Sequence, residues 1–547
     1  MPTHAVENQP PPLENYNVFR TDGVLVEALA REARGASHDE LTALGELAGK
    51  PETIALGFEA NEHPPELRTH DRFGNRIDEV RFHPAWHTLL RHAMQAGLAG
   101  APWRDSSPYP HVRRAAKFYV WGQVESGHGC PISMSYASVP VLRGQPELSA
   151  WPAALTANEY DPRLVPVASK TSALCGMGMT EKQGGSDVRA NQTRAVPAER
   201  PGPGREYLLT GHKWFCSAPM SDAFVVLAQT KGGLSCFLVP RVLDDGSRNS
   251  FAIVRLKNKL GNRSNASAEV EFDATRGWLI GDEGEGVVRI VEMVNHTRMD
   301  CALGSAALIR AGLVQALHHA AHRRAFGALL IDHALMQNVL ADLALESEAA
   351  TVLCMRVART IDESHGDRDA AALKRLGTAL AKYYICKRTP AALGEALEAL
   401  GGNGYVEESI MPRLYREAPL NSIWEGSGNI NALDVQRILR KQPESLDAWR
   451  SELAPALGES RIAAAARQLQ NERDYATNPQ RARELSERMA LLWQAALLVQ
   501  HAPSYVSDAF IASRIDPGSG RAFGTLANGS LRAIAERAAP VMQAAVA

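Results

Sequence analysis

Gly176-Met177-Gly178-Met179-Thr180-Glu181-Lys182-Gln183-Gly184-Gly185-Ser186-Asp187 is where this 547-residue chain changes character. Upstream, segments such as LVEALAREA, DELTALGELAGK and RRAAKFYVWGQVESG carry apolar residues at spacings of three and four, which predicts helices. Downstream, EYLLTG, AFVVLAQT, LSCFLVP, FAIVRL and SAEVEFDA are short, rich in β-branched and aromatic residues, and separated by turn clusters such as KGG and DDGSRN. The junction therefore predicts a mainly helical chain interrupted by a central, mostly antiparallel β domain. The glycines and the Ser-Asp pair supply open main-chain amides and a hydroxyl, which suits an anionic or heteroaromatic ligand, although a glycine turn alone is equally a plain loop.

Working outward, five segments emerge. Residues 1–20 are proline-rich and polar and read as an extended arm, either disordered or laid across a neighbouring subunit. Residues 21–175 form a helical domain in which the prolines and glycine of ANEHPPELRTHDRFGNRIDEVRFHPAWHTL demand a long loop. Residues 176–286 form the β domain, and 287–442 a helical bundle that opens with one or two long helices, since Val287 to Phe326 lacks proline. Residues 443–547 form a last helical block. From Lys441 onward it holds 12 Lys or Arg against 11 Asp or Glu, and all the basic residues after Lys441 are arginines. Those arginines either meet phosphate bidentately or form ordinary pairs with nearby glutamates.

Composition narrows the function. Fifty-nine basic against 61 acidic side chains exclude a uniformly basic nucleic-acid coat, but not local patches. Seven scattered cysteines without metal-ligand spacing favour a reducing cytoplasm. The first residues lack a basic stretch followed by an apolar one, and no run approaches the roughly 18 apolar residues of a membrane span. Helix, β domain, helix is an order that suits a flat ligand clamped at a domain interface.

Two further clusters carry chemistry. In His212-Lys213-Trp214-Phe215-Cys216-Ser217 an aromatic ring can lie against a planar cofactor while a hydroxyl bonds its edge. In Asn421-Ser422-Ile423-Trp424-Glu425-Gly426-Ser427-Gly428-Asn429, a carboxylate beside glycine and after an apolar pair can be desolvated and so serve as a base toward a weakly acidic C–H; the alternative is a helix-start carboxylate stabilised by the dipole.

In this order and domain pattern, the three clusters resemble the acyl-CoA dehydrogenase family of flavoproteins over about Gly176 to Arg440. MTEKQGGSD is similar to the family's Thr-Glu-Pro-x-Ala-Gly-Ser-Asp flavin loop, KWFCS to its Lys-x-Trp-Ile-Thr stretch and RRAFG to its Arg-Lys-x-Phe-Gly. LGGNGY, LYREA and IWEGSGNI resemble its C-terminal signatures. Over nearly the whole chain, including the last helical block, the resemblance is to the alkylation-response branch of the family.

That resemblance implies FAD, with Thr180 and Ser186 on the flavin and its phosphates, Phe215 stacked on the isoalloxazine and Ser217 near its reactive nitrogen. Met179, Gly185 and Cys216 would line the same cofactor. Arg323, Gly401 and Gly402 would reach the diphosphate of a neighbouring subunit's cofactor, while Ser427 and Asn429 approach the dinucleotide from the other side, which implies a dimer or a tetramer built from two, with a homotetramer expected. Glu425 would be the catalytic base and Arg298 the arginine lining the substrate pocket beside it. The expected activity is weak dehydrogenation of a short branched-chain acyl-CoA such as isovaleryl-CoA, the other candidate substrate being a small alkylating compound. The alkylation-response branch further implies binding of double-stranded DNA and its protection from alkylation, with Arg437, Arg440 and Lys441 as phosphate contacts. The alternative is a metabolic dehydrogenase whose last helices serve only oligomerisation. Lys182, Ala325, Ala334, Glu398 and Trp424 depart from the family pattern.

Overall fold

The computed structural model describes residues 3–472, 474–516, 520, 522–527 and 529–540. The first helices are α1 (Gly23–Glu32), α2 (Asp39–Ala48), α3 (Pro51–Glu62), α4 (Pro84–Gln95), α5 (Pro110–Gly122), α6 (Gly129–Leu142) and α7 (Ala150–Leu155). Capping sets their starts: Asp22 accepts from the Leu25 amide at α1, and Pro84 opens α4 behind His83.

Where the prolines of 60–89 predict a loop, the structure instead has an antiparallel hairpin, β1 (Glu66–His70) with β2 (Arg76–Arg81), followed by α4. The physical reason is local. Asp71 Oδ1 accepts from the amides of Phe73 and Asn75 and closes a tight turn, while Pro84 favours the first turn of a helix.

The β domain follows the sequence reading. Strands β3 (Cys175–Gly178), β4 (Arg194–Pro197), β5 (Glu206–Ser217), β6 (Ala223–Thr230), β7 (Gly233–Pro240), β8 (Phe251–Leu256) and β9 (Ser267–Ile280) form one sheet among the described residues. The path β6-β4-β5-β9-β7 returns to β6, so the sheet closes on itself around Tyr207, Phe224, Phe237, Ile253, Val270 and Leu279. All pairings are antiparallel except those of β3 and β4 with β6. Gly176 is required by space, since a Cβ there would lie 2.2 Å from the Phe224 ring.

The long helices come next: α8 (Gly286–His322), α9 (Ala334–Glu363), α10 (Arg368–Ala399), α11 (Ile410–Glu417) and α12 (Gly428–Lys441). Helix α8 is long and apolar enough to cross a membrane, but most of that stretch is buried inside the protein, as a core helix is. The last block supplies α13 (Pro443–Leu453), α14 (Ser460–Asn471), α15 (Ala482–His501), α16 (Ser504–Arg514) and α17 (Leu531–Ala538).

Two compact units result. One comprises Met1–Ile54, His111–Val124 and Cys301–Ala547, and the other Ala55–Pro110 and Glu125–Asp300. In the first unit the last block is part of the core. Trp493 of α15 is fully buried with its ring against Gly377 of α10, where a Cβ would come within 2.9 Å. The described residues of the N-terminal arm make hydrogen bonds to their own chain. Asn15 donates its amide to Gly49 O, Pro11 O accepts from His318 Nε2 at 2.8 Å, and the Asn8 side chain pairs with the backbone of Arg324.

Candidate functional site

In the unit that holds the β domain, the loop after β3 is fastened by a buried ion pair. Glu181 Oε1 accepts from Lys213 Nζ of β5 at 2.7 Å, and its Oε2 accepts from the Gln192 amide at 2.6 Å and Gln183 Nε2 at 2.7 Å. Both side chains are fully buried. Burial pushes the Glu181 carboxyl up, but the Lys213 ammonium and the hydrogen bonds win and hold it at about 2. The loop is thereby held without any solvent-facing charge of its own at Glu181. Thr180 receives the Trp214 amide on its carbonyl at 2.8 Å, and Met179 O accepts from Asn191. Gly185 closes over Thr180, whose hydroxyl would stand 2.7 Å from an added Cβ. Ser186 is exposed beyond it. Lys182 occupies the family's proline position with a use for its N–H, which donates to His212 Nε2 at 3.0 Å.

Strand β5 then presents the aromatic pair. From Lys213 to Cys216 it advances three residues while β9 advances two, from Val270 to Ala268. This bulge puts Lys213 and Cys216 inward and leaves both Trp214 and Phe215 on the outer side. Phe215 is 49 % exposed, with the Lys257 ammonium 4.7 Å from its ring centroid and the half-buried Ser217 hydroxyl two residues on. The Cys216 side chain is fully buried in the barrel core, where burial pushes the thiol up to about 12, so its side chain packs the sheet and only its main chain is left to face a ligand. The groups left on this surface, a half-exposed aromatic ring beside the Lys257 ammonium, two hydroxyls and glycine-flanked amides, fit an isoalloxazine ring and its ribityl chain. Arg298 is buried on α8 in the same unit.

The other unit holds the carboxylate loop. Glu425 is half-buried at φ +57°, a left-handed conformation unusual for a residue with a side chain, and Gly426 follows at φ +94°. Three elements pin this loop. Lys382 of α10 donates to Asn421 O at 2.6 Å and to Trp424 O and Gly426 O at 3.0 Å. Asn431 of α12 donates to Gly426 O at 2.6 Å and Ser427 O at 3.0 Å, and Asn421 Nδ2 donates to Ser305 Oγ of α8 at 3.2 Å. The bulky Trp424 indole is turned onto Asn421 Oδ1 at 3.0 Å. Ser427 stands at the N-cap of α12 without capping through its hydroxyl, and Asn429 Oδ1 accepts from Arg483 of α15 at 2.7 Å. Neither Lys382 nor Arg483 was foreseen from sequence. Each is distant along the chain and sits on a helix whose pattern gives no sign of what its side chain reaches.

Arg323, at the end of α8, donates to Asn8 O of the arm. Gln9 Oε1 accepts from Asn403 of the short turn Gly401–Gly404 at 3.1 Å, so the arm ties together the segments of Arg323 and of Gly401 and Gly402. Gly401 needs its φ of +59°, while a Cβ on either glycine would meet open space.

The arginines of the last block are largely neutralised. Among the described residues, seven of nine pair with carboxylates: Arg450, Arg461, Arg481, Arg488, Arg514, Arg532 and Arg537. Arg437 is exposed but bonds Asp434 at 2.6 Å, a carboxylate it shares with Arg375. Arg440 donates to Ala476 O at 3.1 Å, and Lys441 is exposed at the end of α12.

Comparison with known proteins agrees in register with these elements. Residues 8–162 match the adaptive response protein AidB N-terminal domain, 176–275 the acyl-CoA dehydrogenase middle domain and 284–439 the acyl-CoA dehydrogenase C-terminal domain. The chain is 46 % identical over 522 residues to the putative acyl-CoA dehydrogenase AidB of Escherichia coli K12, with 95 % of each chain covered. It is 29 % identical over 542 residues to acyl-CoA dehydrogenase family member 11 of Caenorhabditis elegans, covering 92 % of this chain and 86 % of that one. The solved structure of Caenorhabditis elegans ACDH-11 with C11-CoA superposes with a TM-score of 0.83 at 26 % identity, covering 99 % of this chain and 95 % of that one.

Proposed function

Because the chain belongs to the acyl-CoA dehydrogenase family, we propose that it oxidises the bond between the α and β carbons of an acyl-CoA, with Glu425 as base. Its cofactor is FAD. The observation that carries the reading is the loop around Glu425, held in a left-handed conformation from α8, α10 and α12 while its neighbours are bound through their carbonyls. When bound, FAD supplies the acceptor for the hydride that leaves the β carbon. Phe215, Ser217 and Thr180 would hold its ring, and Ser186 its phosphate side. The thioester carbonyl acidifies the α C–H, and the Glu425 carboxylate takes that proton. The loop's rigidity supports the reaction by removing the need to find the base's position during turnover.

An acyl-CoA substrate is supported by the whole-length likeness to ACDH-11, which was solved with C11-CoA. Assembly as a homotetramer is supported by Arg323, Gly401 and Gly402, which in the family serve a neighbour's cofactor. A cytoplasmic location is supported by seven buried cysteines, none of them in a disulfide. The test is anaerobic titration of the flavoprotein with isovaleryl-CoA and undecanoyl-CoA. Bleaching of the oxidised flavin in the wild type and not in Glu425→Gln is expected, and an unbleached wild-type spectrum with both thioesters would sink the reading.

A second reading, binding and protection of double-stranded DNA in an alkylation response, draws on the likeness to AidB and on exposed Arg440, Lys441 and Arg467, none of which is ion-paired with a carboxylate among the described residues. Duplex affinity should fall steeply with salt, and Arg440→Ala with Lys441→Ala should lower the salt slope by about 2. An affinity indifferent to salt counts against it.

A further inference from the structure

Lys382 is 1 % exposed, and all three hydrogen bonds that its ammonium makes go to main-chain carbonyls of one short loop. Two of these carbonyls, of Trp424 and Gly426, bracket Glu425, and the third, of Asn421, lies at the start of the same loop. A buried ammonium is costly unless fully hydrogen-bonded, and three carbonyls turned toward one point repel one another unless a cation lies between them. Each therefore needs the other. The turn they close holds Glu425 at φ +57°, a conformation that costs on the order of 1–3 kcal/mol and persists only where its surroundings enforce it.

From this geometry we infer that Lys382 is the positioning residue of the base: its ammonium is the template on which the Asn421–Gly426 main chain folds, and so sets where the Glu425 carboxylate stands. The inference rests on Glu425 as base and assigns a role to a residue 43 positions away in sequence. Asn431 assists from α12 by donating to Gly426 O, a carbonyl it shares with Lys382, and to Ser427 O, but it carries no charge and does not reach the carbonyls of Asn421 and Trp424 among the bonds of the described residues. Lys382 acts through the main chain. Its loss should loosen the loop and misplace the carboxylate without removing it.

Two measurements test this on the full-length flavoprotein. Hydrogen exchange of peptides spanning 419–431 reports on the loop without any turnover, and stopped-flow reduction with undecanoyl-CoA reports on the base. Lys382→Met should accelerate exchange in that segment while leaving β-domain peptides unchanged. It should also slow flavin reduction roughly 10- to 100-fold, the scale on which a misplaced group costs rate, with the thioester concentration at half-saturation changed by less than about threefold. Lys382→Met with Glu425→Gln should be no slower than Glu425→Gln alone, because a positioning residue has nothing left to position. Lys382→Arg keeps the charge but cannot direct three N–H bonds from one atom, so it should fall between wild type and Lys382→Met; it also serves if the methionine variant does not fold. Wild-type exchange in 419–431 for either variant, or wild-type reduction rates, would overturn the inference. If the wild type is never reduced, or Glu425→Gln is reduced as fast as it, the reading of Glu425 as base fails instead, while exchange still decides whether Lys382 holds the loop.

Discussion

Two glutamates in this protein sit beside glycines in loops governed by a buried lysine, and the two lysines act differently. Lys213 meets the carboxylate of Glu181 at 2.7 Å and neutralises it, so that loop is held by its side chain. Lys382 meets the carbonyls on either side of Glu425, so that loop is held by its main chain. A cation on the carboxylate makes a glutamate structural. A cation on the backbone fixes a glutamate in place and leaves the ammonium fully engaged elsewhere than on the carboxylate. Nothing in the residue types tells the two cases apart, since Glu-Lys-Gln-Gly-Gly and Glu-Gly-Ser-Gly each join a carboxylate to small polar neighbours.

The contrast can be broken by exchange of roles. Glu425→Gln should lower the rate of flavin reduction by about 10²–10⁴ and leave FAD content and denaturation midpoint near wild type. A large loss of stability there would make Glu425 structural after all. Lys213→Met should do the opposite, destabilising by about 3–5 kcal/mol in urea denaturation because Glu181 is left buried and unpaired, and Glu181→Leu added to it should recover much of that loss. The same pair sets an acid limb. The Glu181 carboxyl titrates at about 2 when folded against 4.5 ordinarily, so the folded state binds its proton less readily. The stability it contributes is complete above pH 4.5 and is lost as pH falls toward 2, and Lys213→Met should flatten that limb of a stability-against-pH curve.

Smaller effects sharpen the comparison at its edges. Gly176→Ala should cost about 1–3 kcal/mol of stability, as a methyl 2.2 Å from the Phe224 ring forces the barrel to repack. Phe215→Ala should leave stability unchanged, because the ring is half exposed, yet weaken FAD retention by about 0.5–1.5 kcal/mol in equilibrium dialysis. An unaltered FAD affinity would remove Phe215 from the cofactor wall.

Much of the fold is legible in sequence because period-two and period-three-to-four patterns report burial directly. The strands from Glu206 to Ile280 and the helical stretch of α8 follow from such patterns, while the choice between one helix and two was made by the structure, which has one. The hairpin Glu66–Arg81 was obscured because its burial alternates only weakly and prolines flank it. The inward turn of Cys216 was hidden by one extra residue in β5, which shifts the alternation without leaving a mark in composition. For the arginines of the last block, sequence offered two fates. Only packing shows that acids from α9 and from the block itself, Asp342, Glu348 and Glu484 among them, take most of them.

The sequence by itself determined most element types, the mostly antiparallel β domain between helical parts and the identity of the groups able to do chemistry, because these depend on local periodicity and on motif spacing. Tertiary structure alone decided which lysine touches a carboxylate and which a backbone, that the arm ties Arg323 to the 401–404 turn, and that Glu425 is held in a left-handed turn. Those are contacts between residues tens to hundreds of positions apart. Their energies come from geometry and desolvation, which no local pattern encodes.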